Sequence, residues 1–239
     1  MNDFPGALPS SERSSKVALY AILIYKHDAS KPVFLSSAVD LSSFPFFHRS
    51  SLKEHIYFHS RLVCSRTPKG NREVIELESG IGHLHVYTNK DTNVSVLVLS
   101  TKTYPLRIAF GLIDATQRLF HQKCRNKYEH VTQDLMEGAL FSTDLQELLK
   151  KYQNPSEADK LSRVQKDLDE VKDVMLKNID DLLQRGEKLD DLMKKSQDLS
   201  NSSYQFYRCV PSGVAAGAEA DAAMSSEQAK KNNQCCKLY

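Results

Sequence analysis

No run of about 18 apolar residues occurs in the 239-residue chain, so no helix of it is expected to span a bilayer. The opening residues, MNDFPGALPSSERSS, lack the cationic start and apolar core of a secretory signal. Charge of one sign is missing too. Thirty-two Lys and Arg against 30 Asp and Glu leave a formal +2, no electrostatic footprint for nucleic acid. The five cysteines are odd in number and follow no repeating spacing, which argues against a disulfide scaffold and for a reducing, cytosolic compartment.

Chemistry-bearing constellations are equally sparse. No nucleophile, base and orienter form a recognisable set, so no enzymatic activity is expected. Pro68-Lys69-Gly70-Asn71 reads as a hairpin turn and not a phosphate loop, because no G-x-x-x-x-G-K follows a strand. His55 and His59 lie four apart on an expected helix, and His83 and His85 share a strand face. Without a Cys pair or an acidic third ligand they are expected as surface or half-buried histidines, with no metal and no cofactor. Cys64 and Cys124 read as buried core thiols.

What the chain does have is a change of texture at two places. Residues 1–15 read as a disordered leader. From Lys16 to Gln153 the pattern is that of one α/β domain, a sheet in the middle with helices on its faces. KVALYAILIYKH and KPVFLSSAV read as strands, and SSLKEHIYFHSRLVCS as a helix with Leu52, Ile56, His59 and Val63 on one stripe and Ser50 or Ser51 as N-cap. REVIELES, GHLHVYT and VSVLVLS read as three more strands separated by turn residues. YPLRIAFGLIDATQRLFHQK reads as a second helix with Ile108, Leu112, Ala115 and Leu119 in line, and a further helical pattern over 128–152 is interrupted by Gly138.

Pro155 and Ser156 mark the second change. The segment expected at 157–210 is polar, and from Leu161 to Phe206 it carries mostly apolar residues at alternating three- and four-residue steps, which fall on Leu161, Val164, Leu168, Val171, Met175, Asn178, Leu182, Arg185, Leu189, Leu192, Ser196, Leu199, Ser203 and Phe206. This is a heptad seam sustained for more than six heptads and predicts a long coiled-coil helix. Such a helix cannot stand alone; it needs partner helices or must fold against its own domain. Arg185 is the one charge on the seam. A guanidinium inside a bundle needs hydrogen-bonding partners, whereas on a two-helix seam its stem lies on apolar neighbours and its head reaches water. Gly186 beside it favours a special site. Residues 211–234, rich in Ala, Gly and Ser, read as a flexible tether. Residues 235–239, CCKLY, form an irregular C-a-a-X box.

LLQRGEKLDDL at 182–192, taken with the seam, resembles the R-SNARE motif. DLSSFPFFHRSSLKEHIYFHSRL, YPLRIAFGLID and YQNPSEADK are similar to the lipid-anchored longin R-SNAREs, a synaptobrevin-like branch without a transmembrane helix. The resemblance implies an α+β fold: a profilin-like longin domain at 16–153 with a central antiparallel sheet, then a SNARE helix at 157–210. It implies that Arg185 occupies the central layer of a four-helix bundle and meets Gln side chains from three Q-SNARE helices, Qa, Qb and Qc. It implies further that the longin domain folds back over the SNARE segment through a groove containing Phe58. Cys236 would carry a prenyl group and Cys235 a palmitoyl group, with palmitoylation of both thiols the alternative. The implied function is vesicle docking and fusion at the cytoplasmic face of ER, Golgi, endosomal or vesicle membranes; the alternative is a non-fusogenic SNARE that occupies Q-SNARE partners.

Overall fold

The computed structural model describes residues 17–28, 30–77, 81–162 and 174–209. Five strands form an antiparallel platform: β1 (Leu19–Lys26), β2 (Val33–Val39), β3 (Arg72–Glu76), β4 (His83–Thr88) and β5 (Val94–Ser100). A sixth, β6 (Met175–Asn178), comes from the far end of the chain, and the order across the sheet is β2-β1-β5-β4-β3-β6. β6 pairs parallel to β3, so the sheet is mixed and not purely antiparallel as expected.

Both faces of the platform are covered, which is why β1 and β5 are apolar without interruption. Ile22, Ile24, Val94, Val96 and Val98 point to one face, under α2 (Leu106–Tyr128) and α3 (Ser142–Lys151). Ala21, Leu23, Tyr25, Leu97 and Leu99 point to the other, under α1 (Arg49–Arg66). On α2 the buried stripe runs through Ile108, Leu112, Ile113 and Phe120, while Ala115 and Leu119 sit half-buried at its margin. Gly138 lies in the loop before α3 with φ +81, a left-handed conformation that interrupts the helical pattern read over 128–152.

Two local expectations change. α1 starts at Arg49, with His48 as N-cap and no side-chain cap, because a 3-10 turn over Phe46–His48 leads straight into it; Ser50 and Ser51 lie inside the helix. The Pro68–Asn71 turn joins α1 to β3 and not two strands; Gly70 there has φ +86, and a Cβ would collide with the Lys90 side chain.

The largest change concerns the seam segment. The continuous helix expected over 157–210 is absent from the described residues. Their elements are α4 (Pro155–Ser162), β6, a 3-10 turn over Ile179–Leu182, α5 (Leu189–Lys195) and α6 (Asn201–Cys209). The physical reason is the one the seam itself carries: a lone helix with one apolar stripe buries nothing. Here the segment pairs with the β3 edge of the sheet and buries several of its apolar residues on the domain. Ala158 of α4 joins the core under α2, and Ile179, Leu182, Leu189 and Met193 join the core under α1.

Candidate SNARE segment and its docking surface

The docking surface is one side of α1. The 3.6-residue period places Leu52, His55, Ile56, Phe58, His59 and Val63 in the interior, on a helix too wide in its apolar arc to be satisfied by the sheet alone. Phe58 is 5% exposed and belongs to the same apolar cluster as Ile179, Leu182, Leu189 and Met193 of the segment. Leu183, Leu192, Leu199 and Tyr204 pack half-buried around that cluster.

Polar contacts bracket this apolar centre and fix the direction of the segment. Arg66 Nη2 donates to both carboxylate oxygens of Glu187 at 2.9 and 3.0 Å. Arg61 makes a two-pronged pair with Asp198, Nε to Oδ2 at 2.7 Å and Nη2 to Oδ1 at 3.0 Å, and also reaches Asp134. The Ser200 amide donates to Glu54 Oε2 at 2.7 Å, and His55 Nε2 lies 2.8 Å from the Ser203 carbonyl. As the segment advances from 187 to 203 its partners recede from Arg66 to Glu54, so it runs antiparallel along α1. Tyr204 Oη closes the arrangement onto Asp190 at 2.6 Å.

The histidines on this face are fully buried, not surface or half-buried as expected. His55 and His59 are each about 2% exposed, and His59 Nδ1 meets the His55 carbonyl at 2.7 Å. Burial pushes the His59 imidazole down to about 4 and lowers that of His55. His85 is also interior, 2.9 Å from Ser100 Oγ, with burial pushing it down to about 3. No group of three or more potential metal ligands occurs among the described residues. Cys64 and Cys124 are buried as expected, and burial pushes the Cys64 thiol up to about 12, an unreactive environment.

The seam positions divide three ways. Leu182, Leu189 and Ser203 are buried, and Leu192, Ser196 and Leu199 are half-buried. Met175, Asn178 and Arg185 are exposed in this conformation; Arg185 stands in a turn whose next residue, Gly186, has φ +88. Leu161 lies in α4 and Phe206 in α6, their side chains outside the description, while Val164, Leu168, Val171, Cys235 and Cys236 lie outside the described residues altogether. The buried Ile179 and Met193 and the half-buried Leu183 are not on the seam. The signal for them was present: each follows a seam position by one residue, an apolar side chain that a four-helix bundle would not need.

A family model described as Synaptobrevin matches residues 160–210, and one described as Regulated-SNARE-like domain, a longin model, matches residues 41–145. The synaptobrevin homologue ykt6 of Schizosaccharomyces pombe is 38% identical over 221 residues, which is 91% of this chain and 98% of the relative. The chain belongs to the longin R-SNAREs. The VAMP-like protein YKT61 of Arabidopsis thaliana is 37% identical, covering 93% of this chain and 99% of that protein, and the synaptobrevin homologue YKT6 of Saccharomyces cerevisiae is 37% identical, covering 91% and 98%. This R-SNARE therefore acts in vesicle transport, and it is a longin domain followed by a synaptobrevin segment that is seated on it. No helix among the described residues is long and apolar enough to cross a membrane.

Proposed function

We propose that the conformation described is the closed, autoinhibited state of an R-SNARE whose active state is one helix of a four-helix bundle. One observation carries this reading. Leu182 and Leu189 flank Arg185 on the seam, and both are buried in the cluster that contains Phe58. The same side chains cannot line a bundle core and the longin surface at once, so release must precede assembly.

In the open state the seam from Leu161 to Phe206 forms one helix, and Arg185 sits in its central layer among Gln side chains of the Qa, Qb and Qc helices. A buried guanidinium without those acceptors would be strongly unfavourable, so the Arg selects the partners. The exposed turn that carries Arg185 in the closed state leaves the guanidinium hydrated until partners arrive. Membrane attachment falls to Cys235 and Cys236. One acyl or prenyl chain gives marginal, reversible binding and two hold firmly, so a prenyl group on Cys236 with palmitate on Cys235 allows cycling between cytosol and membrane.

Phe58→Glu tests the closed state. The variant should assemble faster with three Q-SNARE helices and expose residues 174–209 to protease, with the longin domain still folded. Unchanged protection in a folded variant would sink the autoinhibited reading. Arg185→Ala should weaken the assembled bundle, and intact-mass spectrometry of the protein from its own cells checks the lipid on each thiol.

A further inference from the structure

Glu73 lies on β3 with no exposed surface. Thr67, the residue that ends α1, donates its hydroxyl to one carboxylate oxygen at 3.1 Å, and Lys177 Nζ sits 2.7 Å from the other. Lys177 belongs to the SNARE segment. In the parallel pairing Glu73 lies opposite Met175 and Ile75 opposite Lys177, so the two charges are diagonal neighbours on one face of the sheet. The burial is unequal, because the Lys177 side chain keeps 28% of its surface.

We propose that Glu73 makes the β3 edge selective for a strand that brings a cation at the position of Lys177, so that this pair sets the register of the folded-back segment and determines which strand the edge accepts. A strand seated there without a cation would seal a carboxylate away from water with only one hydroxyl donor. A register shifted by one residue would turn Lys177 to the opposite face and do the same. When the segment leaves for a bundle, the bare β3 edge keeps an inward-pointing charge, a feature that discourages pairing with foreign strands. Lys177 lies between Met175 and Asn178 and off the seam, so it affects the closed state without lining the bundle core.

The inference rests on the closed-state reading and deepens it. Its distinctive consequence is asymmetry. In full-length protein, Lys177→Met should lower amide-exchange protection of residues 175–182 at least tenfold and speed assembly with three Q-SNARE helices. The melting temperature of the finished bundle should stay the same. Glu73→Gln alone should change protection less than threefold, because the lysine left behind still reaches water. Lys177→Arg should keep protection, and Glu73→Gln combined with Lys177→Met should restore it to within threefold of the parent. Equal effects of the two single neutralisations, no effect of Lys177→Met, or no recovery in the double variant each overturn the selectivity. Phe58→Glu, which leaves the pair in place, separates the two ideas. If it speeds assembly while Lys177→Met does not, the closed state stands and the selectivity falls; if neither does, both fall.

Discussion

Helix α1 and the segment over 174–209 carry similar patterns, apolar residues at three- and four-residue steps among charged ones, yet only α1 is one helix. The difference lies in what each can bury. α1 rests on a finished sheet, and its stripe needs no bend to be covered. The segment must pass from the β3 edge of the sheet to α1, and it breaks where the sequence permits. Asn178 closes a capping box with Asp181, Gly186 turns left-handed at φ +88, and Ser196 ends α5 in extended backbone. The breaks let Ile179, Leu182, Leu189 and Met193 be buried together, worth roughly 1.5–3 kcal/mol each before the entropy of ordering the chain is subtracted.

The comparison is broken most forcefully at Phe58. Phe58→Glu would place a carboxylate in the shared cluster; the segment should detach by several kcal/mol while α1 stays helical, read as lost amide protection over 174–209 with retained protection in β1 and β5. Gly186→Ala comes next. In the closed state alanine at φ +88 is strained by roughly 1–2 kcal/mol, and in a bundle helix it gains about 1 kcal/mol over glycine, so both terms favour opening. Apart from its chain neighbours, no atom among the described residues lies within 4 Å of the added Cβ, so the effect is conformational and not a clash with packed neighbours. Assembly with Q-SNARE helices should accelerate by one to two orders of magnitude, and an unchanged rate would show that the turn is not what holds the break.

Acidification should act more gently. His59 and His55 are held neutral by burial; Glu54 and the Ser203 carbonyl lie beside His55, the His55 carbonyl beside His59, and each imidazole faces the other. Their affinity for protons is lower in the folded protein than in the unfolded chain, so the stability that their neutrality contributes is fully present above the ordinary histidine value near 6.5. It weakens as pH falls toward about 4, by roughly 1 kcal/mol per pH unit for His59. Fluorescence of a probe on the segment, followed from pH 7 to pH 5, should report that loss, and His59→Gln should flatten it. The smallest effect belongs to Lys194→Ala. Its pair with Asp190 is exposed and one turn apart, so closure should change by less than about 0.5 kcal/mol in a urea titration.

Within the longin domain most of the fold was legible, because each strand and helix declares itself through a local period. β1 and β5 read as strands, and α1 as an amphipathic helix, from their own residues alone. The N-cap of α1 was misread because the 3-10 turn over Phe46–His48 supplies the entry that Ser50 seemed to offer. The buried histidines were misread because their hydrogen-bond partners, the carbonyls of Ser203 and His55 and the hydroxyl of Ser100, are set by packing and not by spacing.

The sequence by itself determined the composition of the two regions and a seam with Arg185 near its middle, since periodicity is a property of the chain whatever it touches. Only the tertiary structure decided what that seam does while partners are absent. Leu182 and Leu189 go to the apolar cluster that contains Phe58 instead of to other helices, and Lys177 goes to Glu73, because an apolar stripe and a buried carboxylate are satisfied by whichever surface is nearest, and for this chain that surface is its own domain.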